Sequence, residues 1–318
     1  MIKYLVVGVL LSAISGTSVG GVRSALPPVP ANPVTKVGLV LDGSDASSAD
    51  AAPDPSEACA HVAFSRSLRY GESDLNVLDV ATSDAKATSP RPVLLFVAGE
   101  SFSGEDGAAD IPAPLQDEAM CFAARNGLVG VKMTYRLAPA SPWPAGARDV
   151  AAAISWLHQN IDLFGGSTDE IVTVGYSTGA FHVASYLGHP EFQASDAGIA
   201  GAVLVSGIYA PDANANPAEK SYFGTDPSKY PQRSALPGIL DVETSILLAW
   251  SALDPARLIE QGEKLKELMC NAPAHCPRTT VLSRRDNLAS IFAPDASGGS
   301  LARSTLELVR EIEARGLP

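Results

Sequence analysis

The sequence predicts an α/β fold, a mainly parallel central sheet with helices on both faces, from two observations. Strand-like runs alternate with longer helical patterns along most of the chain. Those runs are also nearly continuous in apolar residues, as strands covered on both faces are. Alternation of this kind builds βαβ units, and right-handed crossovers then place helices on either side of the sheet.

In chain order, PVLLFVAG (92–99) is read as a strand and PAPLQDEAMCFAARNG as the helix after it. LVGVKMTYR (128–136) precedes the helical ARDVAAAISWLHQNIDLFG, and EIVTVGYS (170–177) precedes TGAFHVASYLGHP. AGAVLVSGIYA (200–210) and SILLAWSALD (245–254) continue the pattern, then PARLIEQGEKLKELM, RTTVLS (278–283) and a closing helix, STLELVREIEARG. Residues 210–245 are rich in turn formers. They read as an excursion over the top edge of the sheet, either a lid or substrate wall or a plain surface loop.

Residues 1–25 hold one lysine, a short apolar run and then small residues, the layout of a cleaved secretory signal. The apolar run is too short for a stable bilayer span; the alternative is a buried first element. Residues 26–58 begin with the proline-rich LPPVPANPV and read as an extended linker and N-terminal arm, leaving 59–318 as the folded domain. The mature protein is therefore expected to be secreted or periplasmic, with no membrane contact.

A formal net charge of −12 argues against nucleic acid and anionic membrane surfaces as partners. Four cysteines permit three pairings. Cys270 and Cys276 bracket MCNAPAHC and form the natural short-range pair, which leaves Cys59 with Cys121. An oxidising compartment favours these disulfides over the alternative of buried free thiols. The cysteine spacing lacks the paired C-x-x-C of a zinc clip, and no metal or cofactor is expected.

The chemistry centres on GYSTG, with Ser177 between a strand and a helix. A sharp strand-to-helix turn lifts a serine hydroxyl clear of the sheet, and small flanking residues let helix and strand approach. The helix N-terminus supplies N–H groups for a developing oxyanion. This is the context of a G-x-S-x-G nucleophile elbow; the alternative is an ordinary turn with a capping serine.

With RPVLLFVAGESFSGED, VKMTYRLAPASPWPAGARDV, the block around the elbow, SGIYA, YFGTDPSKYPQRSALPG and LLAWSALDP, the chain resembles a secreted α/β-hydrolase of the carboxylesterase type, in the hormone-sensitive-lipase-like neighbourhood. The resemblance runs from about residue 60 to the end. It implies an acyl-serine mechanism on a small-molecule ester, with the catalytic groups in the order Ser, acidic residue, His. The acid position falls on Asp254, whose carboxylate would fix the tautomer of an imidazole and stabilise its charge. The alternative there is a helix cap. Arg136 and Asp149 would be structural partners.

Two positions depart from the family. Where its histidine stands, in VLSRRDNLASIF (281–292), this chain has Asn287, which lacks a basic lone pair and cannot accept the proton. Of the five histidines, His182 reads as a helix-packing residue and His275 as solvent-facing beside a disulfide. His158 lies on an amphipathic helix, His189 near a helix end and His61 in the N-terminal arm. In place of a His-Gly-Gly-Gly run stands Ala98-Gly99-Glu100-Ser101, where backbone N–H groups of Gly99, Glu100 and Thr178 would form the oxyanion hole. A carboxylate, Glu100 or more weakly Asp286, is the substitute base to weigh. Weak ester hydrolysis through Ser177 is the first expectation. A catalytically silent homologue serving as a binding or interaction protein is the second.

Overall fold

The computed structural model describes residues 59–85, 87–103, 113–193, 198–271, 276–282 and 300–316. The expectations for residues 1–58, His275, Asp286 and Asn287 lie outside them.

Eight strands form one sheet in the order β1-β2-β4-β3-β5-β6-β7-β8. They are β1 (Val62–Arg69), β2 (Val77–Ser83), β3 (Arg91–Val97), β4 (Val129–Met133), β5 (Gly166–Tyr176), β6 (Gly201–Val205), β7 (Ser245–Ser251) and β8 (Arg278–Leu282). From β4 to β8 the neighbours in that order run parallel. β2 pairs antiparallel with both β1 and β4. The helices are α1 (Ala113–Arg125), α2 (Ala145–Asn160), α3 (Thr178–Gly188), α4 (Pro217–Phe223), α5 (Ala256–Cys270) and α6 (Ser300–Gly316). This is the α/β-hydrolase fold. None of the described helices is long and apolar enough to cross a membrane.

The continuous apolar strands follow from the two packed faces. On one face Val93, Leu95, Val97, Ile171 and Leu248 meet α2, α3 and α5 through Val150, Leu157, Val183 and Leu265. On the other, Leu94, Phe96, Val172, Val174 and Leu247 meet α1 and α6 through Met120, Ala123, Leu301 and Ile312. Successive residues of β3 thus enter opposite cores, as the two-residue strand period requires.

The β1–β2 hairpin was not anticipated from the sequence. No residue of β1 is fully buried, and Arg66 on it forms ion pairs with Asp79 of β2 and Asp117 of α1. Charge on a sheet edge blocks unwanted pairing, and it also dilutes the apolar signal. Disulfides join Cys59 to Cys121 and Cys270 to Cys276. The first ties the lead into β1 to α1.

Behind the site, Asp149 is almost fully buried and accepts from the Arg136 backbone N–H at 2.8 Å and from its guanidinium at 2.7 and 2.9 Å. The pair joins the segment after β4 to α2. Arg136→Ala strands this carboxylate without its cation, and we expect a loss of about 3 kcal/mol, the low end for a broken buried pair because the arginine is partly exposed. Urea unfolding of native and variant protein measures it. An unchanged midpoint would contradict the bracing role.

Candidate active site

β5 and β6 end in step, with Tyr176 opposite Val205, and β7 runs two residues past Ala249, the partner of Val205, to Ser251. The residues that follow leave the sheet together at its carboxyl edge. Ser177 directly follows β5 at φ 53, ψ −118, a left-handed backbone that a serine adopts only at a cost. Its N–H donates to the Val205 carbonyl at 2.9 Å. It occupies the N-cap position of α3, yet its side chain makes no capping bond. Ser177 thus sits at a strained bend with its hydroxyl uncommitted among the described residues, the geometry of an elbow and not of a capping serine.

The glycines two residues to either side make the bend possible. A Cβ on Gly179 would lie 2.0 Å from the Val97 carbonyl oxygen, and one on Gly175 2.6 Å from the Ala180 Cα. Helix α3 therefore rests directly on the ends of β3 and β5, and no other side chain fits between.

Asp254 lies three residues beyond β7. Its Oδ2 accepts from the Ser206 hydroxyl at 2.6 Å and from the Ser251 N–H at 2.9 Å. It caps no helix: α5 has Pro255 at its N-cap. Ser206, the residue after β6, is itself left-handed at φ 51 and donates its N–H to Ala249. The carboxylate is thus oriented by groups at the carboxyl ends of β6 and β7, while its Oδ1 accepts nothing among the described residues. The sequence reading missed Ser206; its place at the end of a strand beside the elbow strand was the available signal.

The β3 exit differs from expectation. The Glu100 N–H, expected in the oxyanion hole, donates to Thr178 Oγ1 at 3.0 Å. The Thr178 hydroxyl pairs with Tyr135 Oη at 3.2 Å, and Tyr135 donates to the Ala98 carbonyl at 2.7 Å. This chain of bonds ties the loop to the elbow helix and occupies one donor. Thr178 opens α3, so its own N–H has no intrahelical acceptor. Ser101 and Phe102, at φ 52 and 60, are the left-handed residues of the loop.

Ser177 and Thr178 open into a cavity of about 650 Å³. Ser101 and Phe102 line one side of it, and Asn216 to Glu219, with Pro255, Arg257 and Leu258, another. The turn-rich 210–245 segment therefore supplies a cavity wall, built on α4, a short helix the sequence did not announce. Asn216 caps α4 by accepting the Glu219 N–H, and Pro217 starts it. Buried Glu219 takes Arg257 through two bonds of 2.7 and 2.9 Å, and Asp212 approaches the same guanidinium at 3.3 Å.

None of the four described histidines is hydrogen-bonded to Ser177. His182 is buried against Phe102, Tyr135 and Tyr222, and burial pushes its imidazole down to about 3. It packs helices, as its place on α3 suggested. His158 pairs with the Gly198 carbonyl, His189 with Glu191 and the Ser234 carbonyl, and His61 is exposed. The chain leaves β8 at Leu282, opposite Ser251 and so beside the acid loop; residues 283–299 lie outside the described set.

The sheet edge thus combines the α/β-hydrolase fold with a serine at the elbow position. The family model described as BD-FAE matches residues 78–200, which include the elbow. The chain is similar to esterase LipC of Mycobacterium tuberculosis, 33% identical over 153 residues that cover 45% of this chain and 36% of that protein. It is also similar to esterase LipQ of the same organism, 30% identical over 143 residues covering 42% and 32%. The chain thus spans about a third of the length of these curated relatives. Among solved structures, inhibited esterase B from Lactobacillus rhamnosis superposes with a TM-score of 0.66 at 15% identity, over 80% of this chain and 89% of that one.

Proposed function

We propose that the protein is an exported carboxylic-ester hydrolase that works through an acyl-serine at Ser177. The observation that carries this reading is Ser177 itself: a left-handed serine with an uncommitted hydroxyl, set between two glycines at the mouth of a cavity. In the first step its Oγ bonds to the ester carbonyl carbon and the π pair moves onto the carbonyl oxygen. Collapse returns that pair and expels the alkoxide, while the Ser177 proton reaches the departing alkoxide through solvent. Water then hydrolyses the acyl-enzyme by the same route. Asp254 is the acid of the constellation. Asn287 stands where the family has its base, so turnover is slow. The disulfides fit a protein matured in an oxidising compartment. Similarity to esterases over the elbow region supports the ester class.

A silent scaffold with the same pocket is the competing reading, favoured by Asn287. Covalent labelling separates the two. A nitrophenyl alkylphosphonate should add one phosphonyl group, with mass spectrometry placing it on the peptide that carries Ser177. An unmodified serine after exhaustive treatment would support the silent scaffold.

A further inference from the structure

We infer that the Ser101 hydroxyl is a donor of the oxyanion hole, an inference that rests on the ester-hydrolase reading above. Three observations converge on this side chain. First, the backbone donor expected at Glu100 is occupied by Thr178 Oγ1, so the site is short of one N–H where charge would develop. Second, Ser101 lines the cavity onto which Ser177 and Thr178 open. Third, the Ser101 Oγ is buried from solvent and has no hydrogen-bond partner among the described residues.

A buried hydroxyl without a partner is disfavoured, and native proteins seldom keep one without a use. Here a second cost falls on the same residue. Ser101 is left-handed at φ 52, a conformation that glycine would adopt freely. Its carbonyl accepts the Ser103 N–H at 2.7 Å, closing a tight turn that holds that backbone in place. Glycine would relieve both penalties at once, yet the chain carries serine. Strain and an unmet donor together at the rim of a reactive serine point to use in the reaction.

The use follows from chemistry. When the ester carbonyl becomes tetrahedral, its oxygen gains a full negative charge and needs donors already stripped of water. The Ser101 O–H is such a donor, since no protein group competes for it and no solvent reaches it. Turning it toward the reacting oxygen would take a rotation about its Cα–Cβ bond. Beside the N–H groups of Gly99 and of Thr178 at the start of α3, it replaces the donor that Glu100 has committed elsewhere. Ser101 would then be a catalytic residue, touching the reacting oxygen without sharing in proton transfer.

Ser101→Gly is the decisive variant, because it removes the hydroxyl while keeping a residue at ease in the left-handed backbone. Nitrophenyl butyrate hydrolysis by native, Ser101→Gly and Ser177→Ala proteins is compared, with urea midpoints measured alongside. A kcat lower by about 10²-fold in Ser101→Gly, KM little changed and a midpoint equal or higher, would support the assignment. A merely structural serine predicts the reverse, with stability raised and kcat held or increased. If native turnover exceeds that of Ser177→Ala but Ser101→Gly matches native, only this inference falls. If native turnover equals that of Ser177→Ala, the ester-hydrolase reading falls and takes this one with it.

Discussion

Asn287→His should raise kcat on short-chain nitrophenyl esters by about 10²–10⁴-fold, the usual contribution of a positioned general base. An asparagine amide nitrogen has no basic lone pair, so under the proposed mechanism the Ser177 proton goes to solvent. An imidazole at this position restores a group whose pKa near 6.5 suits the task. What would receive it already stands in the structure: Asp254 is oriented by Ser206 and Ser251, with Oδ1 accepting nothing among the described residues. The gain should bring an acid limb near the imidazole pKa into the pH–rate profile. Absence of both gain and limb would mean that the family alignment at 281–292 is wrong.

Ser177→Ala should abolish that gain. In an enzyme with all its catalytic groups, loss of the nucleophile costs on the order of 10⁶ in kcat, and a second loss from the same group adds little. Ser177→Ala should therefore cost far more in the Asn287→His protein than in the native one, and the double variant should match Ser177→Ala alone. Such non-additivity in a four-member cycle identifies serine and ring as one working unit. Independent, additive effects would place the new histidine's activity elsewhere on the protein.

What the sequence revealed depended on how each feature is encoded. The central strands were legible because both of their faces are buried, which writes an unbroken apolar run. The elbow was legible because only glycine fits at 175 and 179. β1 and β2 escaped notice because the edge hairpin carries Arg66 and Asp79 in a charge network, so neither period dominates. Helix α4 escaped because it is seven residues long and set among prolines. The Glu100 N–H contact with Thr178 escaped for a different reason. Whether a backbone N–H faces a cavity or a neighbouring hydroxyl depends on Thr178, far along the chain, and no local pattern records it.

The bonds of Arg257 bear on which esters the protein would admit. One guanidinium faces two carboxylates, Glu219 on the cavity wall and Asp212 behind it, so the cluster that backs this wall carries a formal surplus of one negative charge. Like charges at short range in a partly dehydrated mouth repel strongly. Esters of dicarboxylic acids that keep a free acid group would be turned away there. Uncharged acyl chains, and alcohols bearing an amine, would meet no such barrier, so this wall would sort substrates by the sign of their charge.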